Sequence, residues 1–218
     1  MVAHHRRIAL GPSSGYAAAM MLEPPDSLPY TGDPQADALL ASEPLALLIG
    51  FVLDQQVSVQ KAFSGPLELQ KRIGTLDAAA IAAMDPGDLD VAFRTRPALH
   101  RFPGNMAKRT QALCAAIAET YGDDASRVWS EAADGGDLEA RLLALPGIGD
   151  MKAKTLLAIL GKRFGLQLAG LDEVMPDYPT LGDVDSAEKL AQYQEKKRAY
   201  KAKLKAEGDS FDPKSPKR

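Results

Sequence analysis

The chain has 218 residues, 45% of them hydrophobic and 25% charged, with a formal net charge of −3 and a single cysteine. That length accommodates one large domain or two small lobes, with a core large enough to stand without staples. One cysteine excludes an internal disulfide and points to a reducing compartment; no apolar run reaches membrane-spanning length, so a soluble, cytoplasmic protein is expected.

Residues 1–32 mix Gly, Pro and Ser with little periodicity and are expected to form a disordered or loosely ordered lead. The apolar run Ala17 to Leu22 is too short for a signal peptide or a membrane span. From Asp33 onward the apolar spacing is helical. Asp33-Pro34 gives a helix start with Ala38, Leu39 and Leu40 on the inner face. Ser42-Glu43-Pro44 gives a second, followed by Leu45, Leu47, Leu48, Phe51 and Val52, apolar nearly all round, which predicts a central buried helix. Its exit, Asp54-Gln55-Gln56, puts polar residues where a core helix has no use for them; their plainest role is to cap the helix and turn the chain.

Val57 to Phe63 continues as a helix, Gly65-Pro66 predicts a break, and Leu67 to Ile73 a further short helix. Thr75-Leu76-Asp77 and Asp85-Pro86-Gly87-Asp88 start two more, containing Ile81, Met84, Leu89, Val91 and Phe93. Arg94 to Asn105, with His100, Arg101 and Phe102, is a basic loop before a long helix from Met106 to Tyr121 that Gly122 ends. Cys114 shares the apolar face of Leu113 and Ile117 and is a core residue on this reading. Gly135-Gly136 separates the Val128-Trp129 segment from a helix over Leu138 to Ala144. No period-two segment and no solenoid repeat interrupts the pattern, so the expected fold is all-α, two helical lobes with a cleft between them.

The most informative passage is Leu145-Pro146-Gly147-Ile148-Gly149-Asp150-Met151-Lys152-Ala153-Lys154-Thr155. It reads as two helices joined by a turn in which glycines permit φ > 0 and let another backbone come close. The second helix starts near Asp150, and its first-turn amides point outward with the positive end of the macrodipole, a place for a phosphate oxygen. Lys152 and Lys154 are expected to supply countercharge beside it, while Ile148 plugs the turn into the core. A glycine turn between helices can also be a plain connection.

The full string closely resembles the helix-hairpin-helix of DNA glycosylases of the endonuclease III and 3-methyladenine type, matched by Leu145, Pro146, Gly147, Ile148, Gly149 and Ala153. The passage Leu47 to Ala62 is similar to the family's early helix and the glutamine-bearing turn that ends it. The resemblance covers about Asp33 to Asp172. It implies that Gly147, Ile148 and Gly149, with Lys152 and Lys154, contact DNA, and that Gln55 fills the gap left when a base is flipped from the stack. Family members with an iron–sulfur cluster carry four cysteines near the C-terminus; with none there, no cluster, metal or other cofactor is expected.

In lyase-type members a lysine two residues after the second hairpin glycine attacks the sugar; here that position is Met151, and Lys152 is turned about a hundred degrees further round the helix. The resemblance therefore implies a monofunctional glycosylase that hydrolyses the N-glycosidic bond. The family's aspartate lies some twenty residues past the hairpin. Asp172 stands near that distance, with Asp183 as the alternative, and an absent catalytic carboxylate is the third possibility because Met175 to Pro179 replaces the expected helix. From Lys189 to Arg218 the chain carries ten Lys or Arg against four Asp or Glu, a charged helix and basic tail over residues 186–218 that serve either as a nucleic-acid arm or as a solvated end. The expected partner of the 33–185 domain is double-stranded DNA containing a damaged base, bound by a monomer that is nucleoid-associated on DNA; a non-catalytic adaptor that binds DNA or senses damage is the alternative.

Overall fold

Short polar side chains and prolines set most helix starts in the computed structural model, which describes residues 24–206. Helix α1 (Pro34–Ser42) is capped by Asp33, whose carboxylate accepts from the amides of Gln35 and Ala36. Helix α2 (Pro44–Leu53) opens on its proline, and α3 (Val59–Ile73) on Ser58, which accepts from Lys61 N–H. Asp77 and Asp85 cap α4 (Ala78–Ala83) and α5 (Pro86–Arg94), each cap satisfying amides that have no partner within the helix. Then follow α6 (Pro103–Tyr121), α7 (Arg127–Ser130), α8 (Gly135–Ala144), α9 (Asp150–Lys162), α10 (Leu171–Val174), a 3₁₀ turn (Leu181–Asp183) and α11 (Ala187–Ala206). Among the described residues there is no strand, and the fold is all-α. No single helix among them is long and apolar enough to cross a membrane.

The core is built on α2, buried at every position from Leu45 to Leu53. Phe63 of α3 meets Phe51 edge-on, with ring centroids 5.1 Å apart, and Tyr30 at 5.4 Å, the arrangement that aromatic quadrupoles favour. Two glycines allow this approach: a Cβ at Gly50 would lie 2.6 Å from the Phe63 ring, and one at Gly65 would lie 2.3 Å from Leu53 Cδ1.

The break expected at Gly65-Pro66 does not occur, because α3 runs through both residues with Pro66 inside it. Proline in a helix interior costs roughly 3 kcal/mol, and the buried contacts of α2 against α3 offset it. Gly135-Gly136 is likewise not a separator but the first turn of α8. A Cβ on Gly135 would lie 2.6 Å from the Gly170 carbonyl and from Leu171 Cα, and the Gly135 amide donates to Ala169 O at 2.9 Å, so the starts of α8 and α10 are pressed together.

The chain enters the core earlier than residue 33. Leu28 and Tyr30 are fully buried, the Tyr30 hydroxyl donates to Leu181 O at 2.8 Å, and the Asp37 carboxylate accepts from the amides of Tyr30 and Thr31. Residues 1–23 of the expected lead and 207–218 of the expected tail lie outside the described residues. At the other end α11 is joined to the body through buried Leu190 and through Gln194, whose amide exchanges hydrogen bonds with Gln60 of α3 at 2.9 and 3.3 Å. Trp129 and Cys114 are both core residues, and burial pushes the Cys114 thiol up to about 12.

The 3₁₀ turn also presses on the backbone of α9, since a Cβ at Gly182 would stand 2.6 Å from both the carbonyl carbon and oxygen of Ala158. Backbone cannot swing aside as a side-chain tip can. Gly182→Ala is expected to lower stability by about 1–3 kcal/mol, read as a drop in the urea midpoint at unchanged slope; an unchanged midpoint would show that the turn is free to lift away.

Candidate nucleic-acid interface

The hairpin joins α8 to α9 through Leu145 to Gly149. Ile148 is buried, and its amide donates to Leu145 O at 3.1 Å, closing the turn. Gly147 has φ +86°, and a Cβ there would lie 3.2 Å from Val52 Cγ2, so the turn both needs the left-handed conformation and presses on α2. Gly149 differs from expectation: its φ of −107° and ψ of 179° are extended backbone that any residue adopts. What distinguishes Gly149 is the space before it. It is exposed, no atom lies within 4 Å of where a Cβ would stand, and no side chain caps α9 there. The amides of Lys152 and Ala153 both donate to Gly149 O at 2.9 Å, which fixes the helix start.

The sequence places Lys152 and Lys154 beside an incoming phosphate; in the structure both amines turn back onto the protein. Lys152 Nζ donates to Gly147 O at 3.1 Å, across the turn itself. Burial lowers its ammonium to about 8, opposed by the Asp54 carboxylate and assisted by Arg109, so this cation lies between the hairpin and the exit of α2. Lys154 Nζ donates to Val174 O at 2.7 Å and pairs with Glu139 at 2.7 Å, tying α9 to α8 and α10.

The exit of α2 brings the glutamine turn to the same neighbourhood. Gln55 is half-buried, and its carbonyl lies 2.9 Å from His100 Nε2. His100 Nδ1 accepts from the Phe102 amide at 3.0 Å. With Nδ1 accepting, the proton sits on Nε2 and is donated to Gln55, so the buried ring is neutral and both nitrogens are used. Burial lowers its pKa, against the Gln55 carbonyl and with Arg101. Gln56 next door is exposed at φ +54°, a conformation that costs a non-glycine residue roughly 1–3 kcal/mol and clusters at functional sites. Phe102 is 42% exposed with the Arg101 guanidinium 4.8 Å from its ring centre. The tip of α2 thus gathers three segments: hairpin through Val52, glutamine turn by continuity, and basic loop through His100.

An open cavity of about 390 Å³ lies against the first turn of α9, walled by Met151, Lys154, Glu139, Asp150, Asp177 and Tyr178. The Tyr178 hydroxyl is 3.5 Å from Met151 Sδ. Asp177 and Tyr178 also border a second cavity of about 450 Å³, whose far side is α11 with Tyr193 and Lys196. Asp172 is exposed on α10 and is not among the residues lining either cavity. Asp183 borders the second, but its carboxylate accepts from Lys162 at 2.6 Å and from the Thr180 amide at 2.8 Å, closing a capping box. Burial would raise that carboxyl, but Lys162 and Thr180 hold it below the usual range. Asp177 and Tyr178 carry no signal in the sequence, since they sit in an aperiodic loop, and Phe102 stands out there only as part of the basic loop. Among the described residues no three His, Cys, Asp or Glu side chains form a metal-binding group. No protein-family model, curated protein or solved structure matches this chain.

The His100 bridge has a pH signature. The unfolded chain's histidine titrates near 6.5 and the folded one below it, so on acidification the unfolded state takes up the proton first. Stability is complete above about pH 6.5 and falls as pH drops below it, by at most about 1.4 kcal/mol per pH unit for one proton. Urea unfolding between pH 7.5 and 5.5 should show that slope, and His100→Gln should flatten it; equal slopes would show that folding does not favour the neutral His100 ring.

Proposed function

We propose that this chain is a monofunctional DNA glycosylase of the helix-hairpin-helix type, hydrolysing the N-glycosidic bond of a damaged base flipped from the duplex. The observation that carries the reading is the hairpin: Gly147 at φ +86° packed on Val52, and the uncapped start of α9 at Gly149 opening onto empty space. Amides at such a start, with the positive end of the helix dipole, suit a phosphate oxygen. The adjoining cavity of about 390 Å³ falls within the usual range of small-molecule sites, roughly 300–1,000 Å³, and serves in this reading as the cleft that receives the base. Gln55 and Gln56 at the α2 tip fill the vacated stack, which repays part of an eversion cost of a few kcal/mol. Exposed Phe102 offers an aromatic face to an unstacked base.

Loss of the base leaves positive charge on the sugar. The bonding pair of the N-glycosidic bond departs with the base, water adds to C1′, and a carboxylate stabilises the cation and takes the water's proton. Asp177 has that role in this reading because it lines the hairpin-side cavity, which Asp172 does not, while Asp183 is held by Lys162 and Thr180. Met151 stands where a Schiff-base amine would be, so the strand is left intact at an abasic site. That neither Asp172 nor Asp183 lines the hairpin-side cavity favours the second reading, a DNA-binding adaptor without chemistry.

A panel of lesion-containing duplexes assayed for base release tests the proposal. Asp177→Asn should slow release by at least about a hundredfold, the scale of one transition-state charge contact, with lesion binding retained; the same loss in Asp172→Asn with full activity in Asp177→Asn would move the site to α10. Borohydride should trap no protein–DNA adduct, and a trapped adduct would refute the monofunctional assignment. Binding without release by the wild-type protein on every lesion would select the adaptor.

The hairpin has its own test. Gly149→Val fits the extended backbone and leaves the fold intact, but fills the space before α9 and should weaken duplex affinity by about tenfold or more, the scale of one or two charge-assisted hydrogen bonds. Unchanged affinity at moderate salt would remove the phosphate from this position.

A further inference from the structure

The acidic body and the basic end of the chain are not mixed at random in space. Among the described side chains, those that attach helix α11 to the body lie in its first half: Leu190 is buried, Tyr193 is half-buried, and Gln194 pairs with Gln60. The residues that follow, from Glu195 to Ala199, are all exposed. Lys196, Lys197 and Arg198 lie there, and no carboxylate among the described residues forms an ion pair with them. Lys197 is instead held over the Tyr193 ring, 5.5 Å from its centre. By contrast Lys189, nearer the body, is neutralised by Asp185 at 2.5 Å.

This cluster is anchored beside the hairpin face. Gln60 belongs to the first turn and a half of α3, directly after the Gln55–Gln56 turn, and Lys196 borders the 450 Å³ cavity that shares Asp177 and Tyr178 with the cavity at the start of α9. Asp177 and Tyr178 thus form a wall shared by the cavity at the start of α9 and the cavity that Lys196 borders. Sequence outside the anchored half adds Lys201, Lys203 and Lys205 to the same helix.

We propose that the exposed stretch of α11 bearing Lys196, Lys197 and Arg198 is a second nucleic-acid contact, a clamp for the sugar–phosphate backbone of the strand whose other contact is the hairpin. The assignment rests on the reading that the hairpin holds DNA, though not on any catalysis. Charge decides the occupant. The chain excluding Lys189 to Arg218 is net acidic and repels a polyanion, so affinity has to come from local cationic clusters that displace condensed counterions. An anionic bilayer is a poorer fit, because from Glu195 to Ala206 the only large apolar side chains are Tyr200 and Leu204, too few to give the apolar face on which interfacial helices depend.

The test is a salt titration of full-length protein on a 20-base-pair duplex, read by fluorescence anisotropy, with the variant Lys196→Gln/Lys197→Gln/Arg198→Gln beside wild type and base release followed in parallel. Each lost phosphate contact removes about 0.9 from the slope of log affinity against log salt, so the variant should flatten the slope by about 2–3 and bind about tenfold or more weakly at 0.1 M salt, with an unchanged melting curve. An unchanged slope in the variant, with base release by wild type, overturns the clamp and leaves the glycosylase. A flattened slope in the variant, with no base release by wild type, overturns the glycosylase and leaves the clamp. Absence of duplex binding by wild type, or a loss confined to anionic phosphatidylserine vesicles, overturns the clamp.

Discussion

A helix with no polar face has to be surrounded, and α2 imposes that condition on the rest of the molecule. Buried from Leu45 to Leu53, it draws α3 in at Gly50 and Gly65, and takes the hairpin at Val52. Because the helix is apolar over its whole length, its polarity begins abruptly at Asp54, so the glutamine turn emerges at the surface at the point where the hairpin packs. The geometry of the candidate interface follows from the requirement to bury one helix.

The polar side chains near that point hold the interface rather than decorate it. His100 spends both ring nitrogens joining the glutamine turn to the Phe102 loop, and Lys152 closes the glycine turn from inside. Both are buried enough that water competes poorly for their hydrogen bonds, which gives each bond more weight than a surface contact and makes its loss more expensive. The exposed groups, Gln56, Phe102 and the open start of α9, are then presented from a braced frame with little ordering left to do on binding.

Helix starts were legible at Asp33, Asp77 and Asp85 because these caps act locally, through amides two or three residues away. The all-α class and the buried character of α2 followed from apolar spacing, and the hairpin turn from Gly147. Where the chain was misread, the deciding contact was distant in sequence. Pro66 stays in α3 because α2 packs against that helix, Tyr30 belongs to the core because its hydroxyl reaches Leu181 far along the chain, and Gly135 begins a helix because Gly170 lies on it. Lys152 and Lys154 have the residue type of phosphate ligands, but their direction is set by Gly147, Val174 and Glu139. Asp177 and Tyr178 sit in a loop without period, and only the folding of that loop against α9 makes them walls of a cavity.

Cys114 has no role in any of this, and that makes it useful. It is the only thiol in the chain, it is wholly buried in α6, and burial keeps it protonated far beyond neutral pH. A thiol reagent therefore meets nothing to modify until the helix around it opens, and the chain carries a single internal clock for that opening. The rate of labelling in the absence of denaturant counts how often the core is breached, and comparison of free and ligand-bound protein reports how far a partner at the surface steadies the interior.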